Sequence, residues 1–227
     1  MRLHRLLTVI SMAVGLIAGA VRAQTVTEFD AVQAILNLGG SVTRNDKAPG
    51  KPVVAVNLAG TGATDVELKD LPILKQVRVL DLTGTFVTDA GLKQFAAMKD
   101  LRDLVLDLTN ITDGGVKELA KQRKQWRALS FAGTKITDAG LTSLKDQDEL
   151  NLLDLASTKV TDAGLKTLDR LKKLEWLYLS STRVSDVGLK ELARCKGLVT
   201  VDVSGTLVSD DGIETLRRAL PKCEVLN

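Results

Sequence analysis

An aspartate follows a Thr or Ser and stands two residues before a Gly at Asp89, Asp113, Asp138, Asp162, Asp186 and Asp210, at intervals of 24 or 25 residues, with a degenerate earlier copy at Asp65. Carboxylates set side by side by such a period could bind calcium, but that ion wants several oxygens from one loop and each copy supplies a single carboxylate. The same pair directly ahead of a helix has a simpler use. Hydroxyl and carboxylate oxygens accept hydrogen bonds from the free N–H groups of the first turn and oppose the helix dipole. Capping by both residues is therefore expected, and no metal site.

Other reactive groups are few. The one histidine is His4, in a segment expected to be removed, so the remaining chain has no imidazole for acid–base catalysis, for a nucleophile pair or for a histidine metal site. No phosphate loop or nucleophile elbow occurs either, so no catalytic residue, no cofactor and no enzymatic activity are expected. Cys195 and Cys223 are the only cysteines. Oxidising compartments favour a disulfide between them, whereas buried free cysteines are common in repeat folds, so both states stay open.

The elements that carry these residues repeat with them. Upstream of each aspartate runs the phrase L-x-x-L-x-L-x-x-T-x-V/I, as in Val77, Leu80, Leu82, Thr85 and Val87, or Leu174, Leu177, Leu179, Thr182 and Val184. Its L-x-L centre has period two, which makes a short strand with alternate residues buried. Downstream, Gly-Leu-x-x-Leu, as at Leu165 and Leu168 or Leu189 and Leu192, has helical spacing and marks a short amphipathic helix. A strand and a helix in every unit must stack into a coil, because each unit exposes an apolar face that only the next can cover. Aromatics are only 3% of the 227 residues, so that interior is built from repeated Leu, Val, Ile and Ala. Trp126 stands at a buried leucine position and is expected in the core.

These phrases resemble leucine-rich repeats, most closely those of bacterial exported proteins with "GTKVTDAGLKxL" units, over roughly residues 53–227. The resemblance implies an α/β fold, a right-handed horseshoe of about seven repeats with parallel strands on the concave side and short helices on the convex side. It brings no catalytic residues. Where the family has Asn, this chain has Thr61, Thr85, Thr109, Thr134, Thr158, Thr182 and Thr206. Their hydroxyls can bond the backbone of a neighbouring turn, which makes the row a structural ladder.

Residues 24–52 are expected to cap the first repeat: Phe29, Val32, Ile35 and Leu36 have helical spacing, Gly39-Gly40 ends them, and a strand and a loop lead to Val53. At the other end Cys223 to Leu226 form a short final strand. Before the cap, Arg2 and Arg5, an apolar run from Leu6 to Ala20 and the small-residue site Val21-Arg22-Ala23 mark residues 1–23 as a signal peptide. The alternative is an uncleaved membrane anchor, for which about 15 apolar residues fall short of the ~20 needed. Without that segment the 31 basic residues lose Arg2, Arg5 and Arg22 and match the 28 acids. A neutral chain lacks the concentrated positive face that nucleic acid demands, so no nucleic-acid partner is expected.

The outward residues of the strands define a surface free of Lys and Arg: Val79, Asp81, Thr83; Asp103, Val105, Asp107; Ala128, Ser130, Ala132; Leu152, Asp154, Ala156; Trp176, Tyr178, Ser180; Thr200, Asp202, Ser204. Large rings on an outward face among acids look like an interface anchor. The expected site is Leu152, Asp154, Trp176, Tyr178 and Asp202, taking a protein or peptide, basic or amine-bearing. On the convex side Lys93, Lys117, Lys166 and Lys190 share one position, most simply a solvated row, otherwise a contact for an anionic wall polymer or membrane. The function expected is a non-catalytic protein-interaction module outside the cytoplasm, secreted or in the cell envelope. The alternatives are a structural or adhesive envelope component and the recognition subunit of an enzyme.

Overall fold

A computed structural model describes residues 26–122 and 125–227; the signal segment expected at 1–23 lies outside the described residues. The chain forms one open sheet of nine strands in sequence order. An N-terminal helix α1 (Glu28–Asn37) and strand β1 (Ser41–Arg44) come first, with β1 antiparallel to β2 (Val53–Asn57). All later pairs are parallel: β3 (Val79–Asp81), β4 (Asp103–Val105), β5 (Ala128–Ser130), β6 (Leu152–Asp154), β7 (Trp176–Tyr178), β8 (Thr200–Asp202) and β9 (Glu224–Leu226). Helices α2 (Asp113–Lys121), α3 (Asp138–Ser143), α4 (Asp162–Leu165), α5 (Asp186–Leu192) and α6 (Asp210–Ala219) return the chain from one strand to the next. Parallel neighbours require such a crossover.

The sheet faces its helices across a single core. Leu153, Leu155, Leu177, Leu179, Val201 and Val203 are each 0% exposed, so both apolar residues of each L-x-L centre seal the coil. Trp126 is 0% exposed as well. Truncating such a leucine to Ala costs about 2–5 kcal/mol, since the neighbouring coils cannot collapse into the void. The first two crossovers are 3-10 turns (Glu67–Lys69, Leu71–Ile73 and Gly91–Ala97) where a short helix was expected. In the first, Pro72 has no N–H for an i to i−4 bond, and the turn splits on either side of Asp70.

Hydrogen bonds tie the coils together at the aspartate motif, and not as the sequence suggests. The Thr or Ser caps its own helix, as where Thr161 Oγ1 accepts from the N–H of Ala163 at 3.3 Å. The Asp does not cap. Its carboxylate accepts the N–H and hydroxyl of the Thr or Ser one coil further on: Asp65 from Thr88, Asp89 from Thr112, Asp113 from Thr137, Asp138 from Thr161, Asp162 from Ser185 and Asp186 from Ser209. The Gly leaves room for that carboxylate. A Cβ at Gly140, Gly164 or Gly188 would stand 2.5 Å from Oδ1 of the preceding coil's Asp.

This also explains the degenerate first copy. Among the described residues no earlier Asp reaches Thr64, and Glu67, at the place of the Gly, accepts the N–H of Thr64 at 2.7 Å and its hydroxyl at 2.8 Å. The threonine row differs from expectation too. Each hydroxyl bonds within its own coil, to the carbonyl three residues back, as Thr158 to Leu155 and Thr182 to Leu179, both at 2.6 Å. It closes a buried turn and does not link neighbours.

Candidate functional site

Strand register decides which outward residues are neighbours. Leu152, Trp176 and Thr200 share one column across β6, β7 and β8, and Asp154, Tyr178 and Asp202 share the next. Adjacent strands lie about 4.8 Å apart, so Leu152, Asp154, Trp176, Tyr178 and Asp202 fall in one patch with Tyr178 between two carboxylates. All five are half-buried, between the inward Leu153, Leu177 and Val201. Trp176 is thus seated in the surface and not a freely projecting ring.

The acids of this patch are oriented from their own backbone. Asp154 accepts the N–H of Ala156 at 2.9 Å, and Asp202 accepts the N–H and hydroxyl of Ser204 at 2.9 and 2.5 Å. Burial pushes the Asp154 carboxyl above the ordinary aspartate range; the N–H of Ala156 works against this, while the charges of Asp107 and Asp202 add to it. A cation placed here would relieve that repulsion. A ring between two carboxylates offers it a π face as well as opposite charge.

The other outward aspartates are less available than the sequence suggests. Asp81 accepts the N–H and hydroxyl of Thr83, and Asp107 the hydroxyl of Ser130 and the N–H of Ala132 one coil on. Asp103 is buried, 8% exposed, and paired with Arg127, whose Nε donates to Oδ1 at 2.8 Å and whose Nη2 donates to Oδ2. So a surface expected to lack cations has a guanidinium folded onto it from its lower edge. Reading outward positions from the L-x-L centre missed this, because Arg127 lies just before the strand. The signal was there: Arg78, Arg102 and Arg127 hold the same place in three successive units.

Cys195 and Cys223 are buried free thiols, and burial lifts the Cys195 thiol to about 11 and raises that of Cys223. Lys93, Lys117, Lys166 and Lys190 are exposed on the helix side.

Stacked strand-and-helix coils, an open parallel sheet and a Thr-closed turn in each unit define a leucine-rich-repeat solenoid. The family model described as "Leucine Rich repeat" matches residues 97–120, one unit of that solenoid. Among solved structures the chain is similar to internalin C2 of Listeria monocytogenes, at 20% identity over 87% of this chain and 92% of that one, with a TM-score of 0.57. No curated protein matches the sequence.

Proposed function

We propose that this chain is a non-catalytic module that binds a protein or peptide on its strand-lined face. The leucine-rich-repeat fold, typical of protein-interaction modules, supports the general reading. One observation carries the specific one: the register Asp154, Tyr178, Asp202 beside Leu152 and Trp176. Apolar anchor, aromatic faces and two oriented carboxylates suit a basic or amine-bearing group of the partner. Its stem would lie on Leu152 and Trp176 and its charge over Tyr178.

Trp126 is fully buried, so titration of the half-buried Trp176 by intrinsic fluorescence is the direct test. An Arg-rich peptide should shift the emission of the full chain and not that of Trp176→Phe. Trp176→Ala with Tyr178→Ala should weaken binding roughly thirty-fold or more in a chain that still folds at the assay temperature, since the inward Leu177 between them is retained. Equal affinity in that variant would discard the patch. Export rests on residues 1–23, and mass spectrometry of the exported form should find Gln24 at the N-terminus; retention of the leader would favour the anchor.

A further inference from the structure

From the lower edge of the sheet we infer a second recognition element: Arg78, Arg102 and Arg127 form a guanidinium lip that takes an acidic segment of the same protein partner. This rests on reading the strand-lined face as the partner-binding surface, and it fixes the direction in which the partner lies along the solenoid.

The three arginines are neighbours through their backbone. The N–H of Arg102 donates to the carbonyl of Arg78 at 3.0 Å, and that of Arg127 to the carbonyl of Arg102 at 2.9 Å. Like charges side by side at strand spacing repel and cost stability. Yet among the described residues ion pairing reaches Arg127 alone, through Asp103, and Arg78 and Arg102 keep their charge uncompensated. Two of the three are held in place. Nη1 of Arg102 donates to the carbonyls of Lys99 and Leu101 at 2.6 and 2.9 Å. Arg127 is clasped by buried Asp103 while its own side chain stays 67% exposed. The Nε and Nη2 of Arg127 are occupied by Asp103. The charge open to a ligand is therefore that of Arg78 and Arg102, whose guanidinium N–H groups suit carboxylates, with Arg127 fixing the end of the row.

The lip has an end. In the next coils its column passes to Asn151 and Glu175, whose N–H groups continue the same backbone chain, so the edge changes sign where the aromatic patch begins. Asp81 and Asp107 stand on the adjoining surface. A polymer with a phosphate at every unit would meet them, whereas a protein can place a few carboxylates on the lip alone. The partner therefore presents an acidic group over β3 to β5 and, about 15 Å away across three strand spacings, a basic group over β6 to β8.

Fluorescence anisotropy with three labelled peptides and the full chain tests this: one Glu-rich, one Arg-rich, and one with separate acidic and basic blocks. Arg78→Glu with Arg102→Gln should weaken the Glu-rich and the two-block peptides by roughly ten-fold or more and leave the Arg-rich peptide unchanged. Trp176→Ala with Tyr178→Ala should do the converse. If the double variant is unstable, the exposed Arg78→Glu alone should act in the same direction. No binding of the Glu-rich peptide, or binding indifferent to the lip substitutions, overturns the lip while leaving the aromatic patch standing. Loss of the Arg-rich peptide's response alone overturns the patch. A short DNA duplex that binds more tightly than the Glu-rich peptide, through the same arginines, overturns the assignment to a protein.

Discussion

Asp138 receives two hydrogen bonds from Thr161 of the following coil, the N–H at 2.8 Å and the hydroxyl at 2.7 Å, and it occupies the space that a Cβ on Gly164 would need. The aspartate and the glycine of successive motifs are therefore one device. Asp138→Ala should cost about 2 kcal/mol by orphaning two donors to a charged acceptor. Gly164→Ala should destabilise as well, because the 2.5 Å approach to Asp138 Oδ1 outweighs the ~1 kcal/mol that Ala gains in a helix. Together they should cost less than their sum by about 1 kcal/mol or more, since the first removes the atom the second collides with. Denaturant titration of the four chains checks this, and additive losses would mean the two are independent.

Leu108 is held at φ 54°, in a column otherwise occupied by Gly60, Gly84, Gly133, Ser157, Ser181 and Gly205. A left-handed backbone costs a non-glycine residue about 1–2 kcal/mol, and this side chain, 67% exposed, recovers little by burial. Leu108→Gly should raise stability by about 0.5–1 kcal/mol after the added freedom of the unfolded chain is counted. Leu108→Ala keeps the strain and should give no gain. The readout is the urea midpoint at unchanged slope.

Most of the fold was legible because a solenoid repeats its constraints. The L-x-L strands, the buried Trp126 and the capping Thr and Ser each follow from local spacing. What escaped was contact between coils. Nothing in one motif says that its Asp serves the next coil's Thr; only the Gly at Gly91 and its successors, beside Glu67 in the first copy, hints that something must be accommodated there. That Asp154, Tyr178 and Asp202 share one column was legible for the same reason of equivalent positions. The burial of Asp103 was not, since it depends on Arg127 reaching back from the next unit.

The cysteines make a sharper case. Both thiols are buried, and a thiol raised to about 11, as at Cys195, is almost wholly protonated near neutrality and a poor nucleophile. The native chain should react slowly with a thiol reagent, and in denaturant without reductant two thiols should titrate. A count of zero in denaturant would mean that Cys195 and Cys223 are paired, the alternative that an oxidising compartment favours.

Acid should act on this chain through carboxyls shifted in both directions, those of Asp30, Glu67 and Asp186 downward and that of Asp154 upward. The hydroxyl of Ser209, and then its N–H, hold the carboxyl of Asp186 below the ordinary value. The folded state then binds that proton less readily than the unfolded one, so this contribution is present above about pH 4 and is lost as pH falls through the lowered pKa. Asp154 is the reverse: burial raises its carboxyl, the folded state takes up the proton first, and stability declines as pH rises from the aspartate range through the raised value. Asp186→Asn should therefore flatten the acid limb of the melting-temperature profile. Asp154→Asn should raise the melting temperature at neutral pH, with the gain disappearing at low pH where the native carboxyl is already neutral. That same substitution should weaken the Arg-rich peptide, because the charge that burdens the fold is the one that would face the ligand. A variant both more stable and undiminished in binding would separate Asp154 from the site, leaving Asp202 as its only carboxylate.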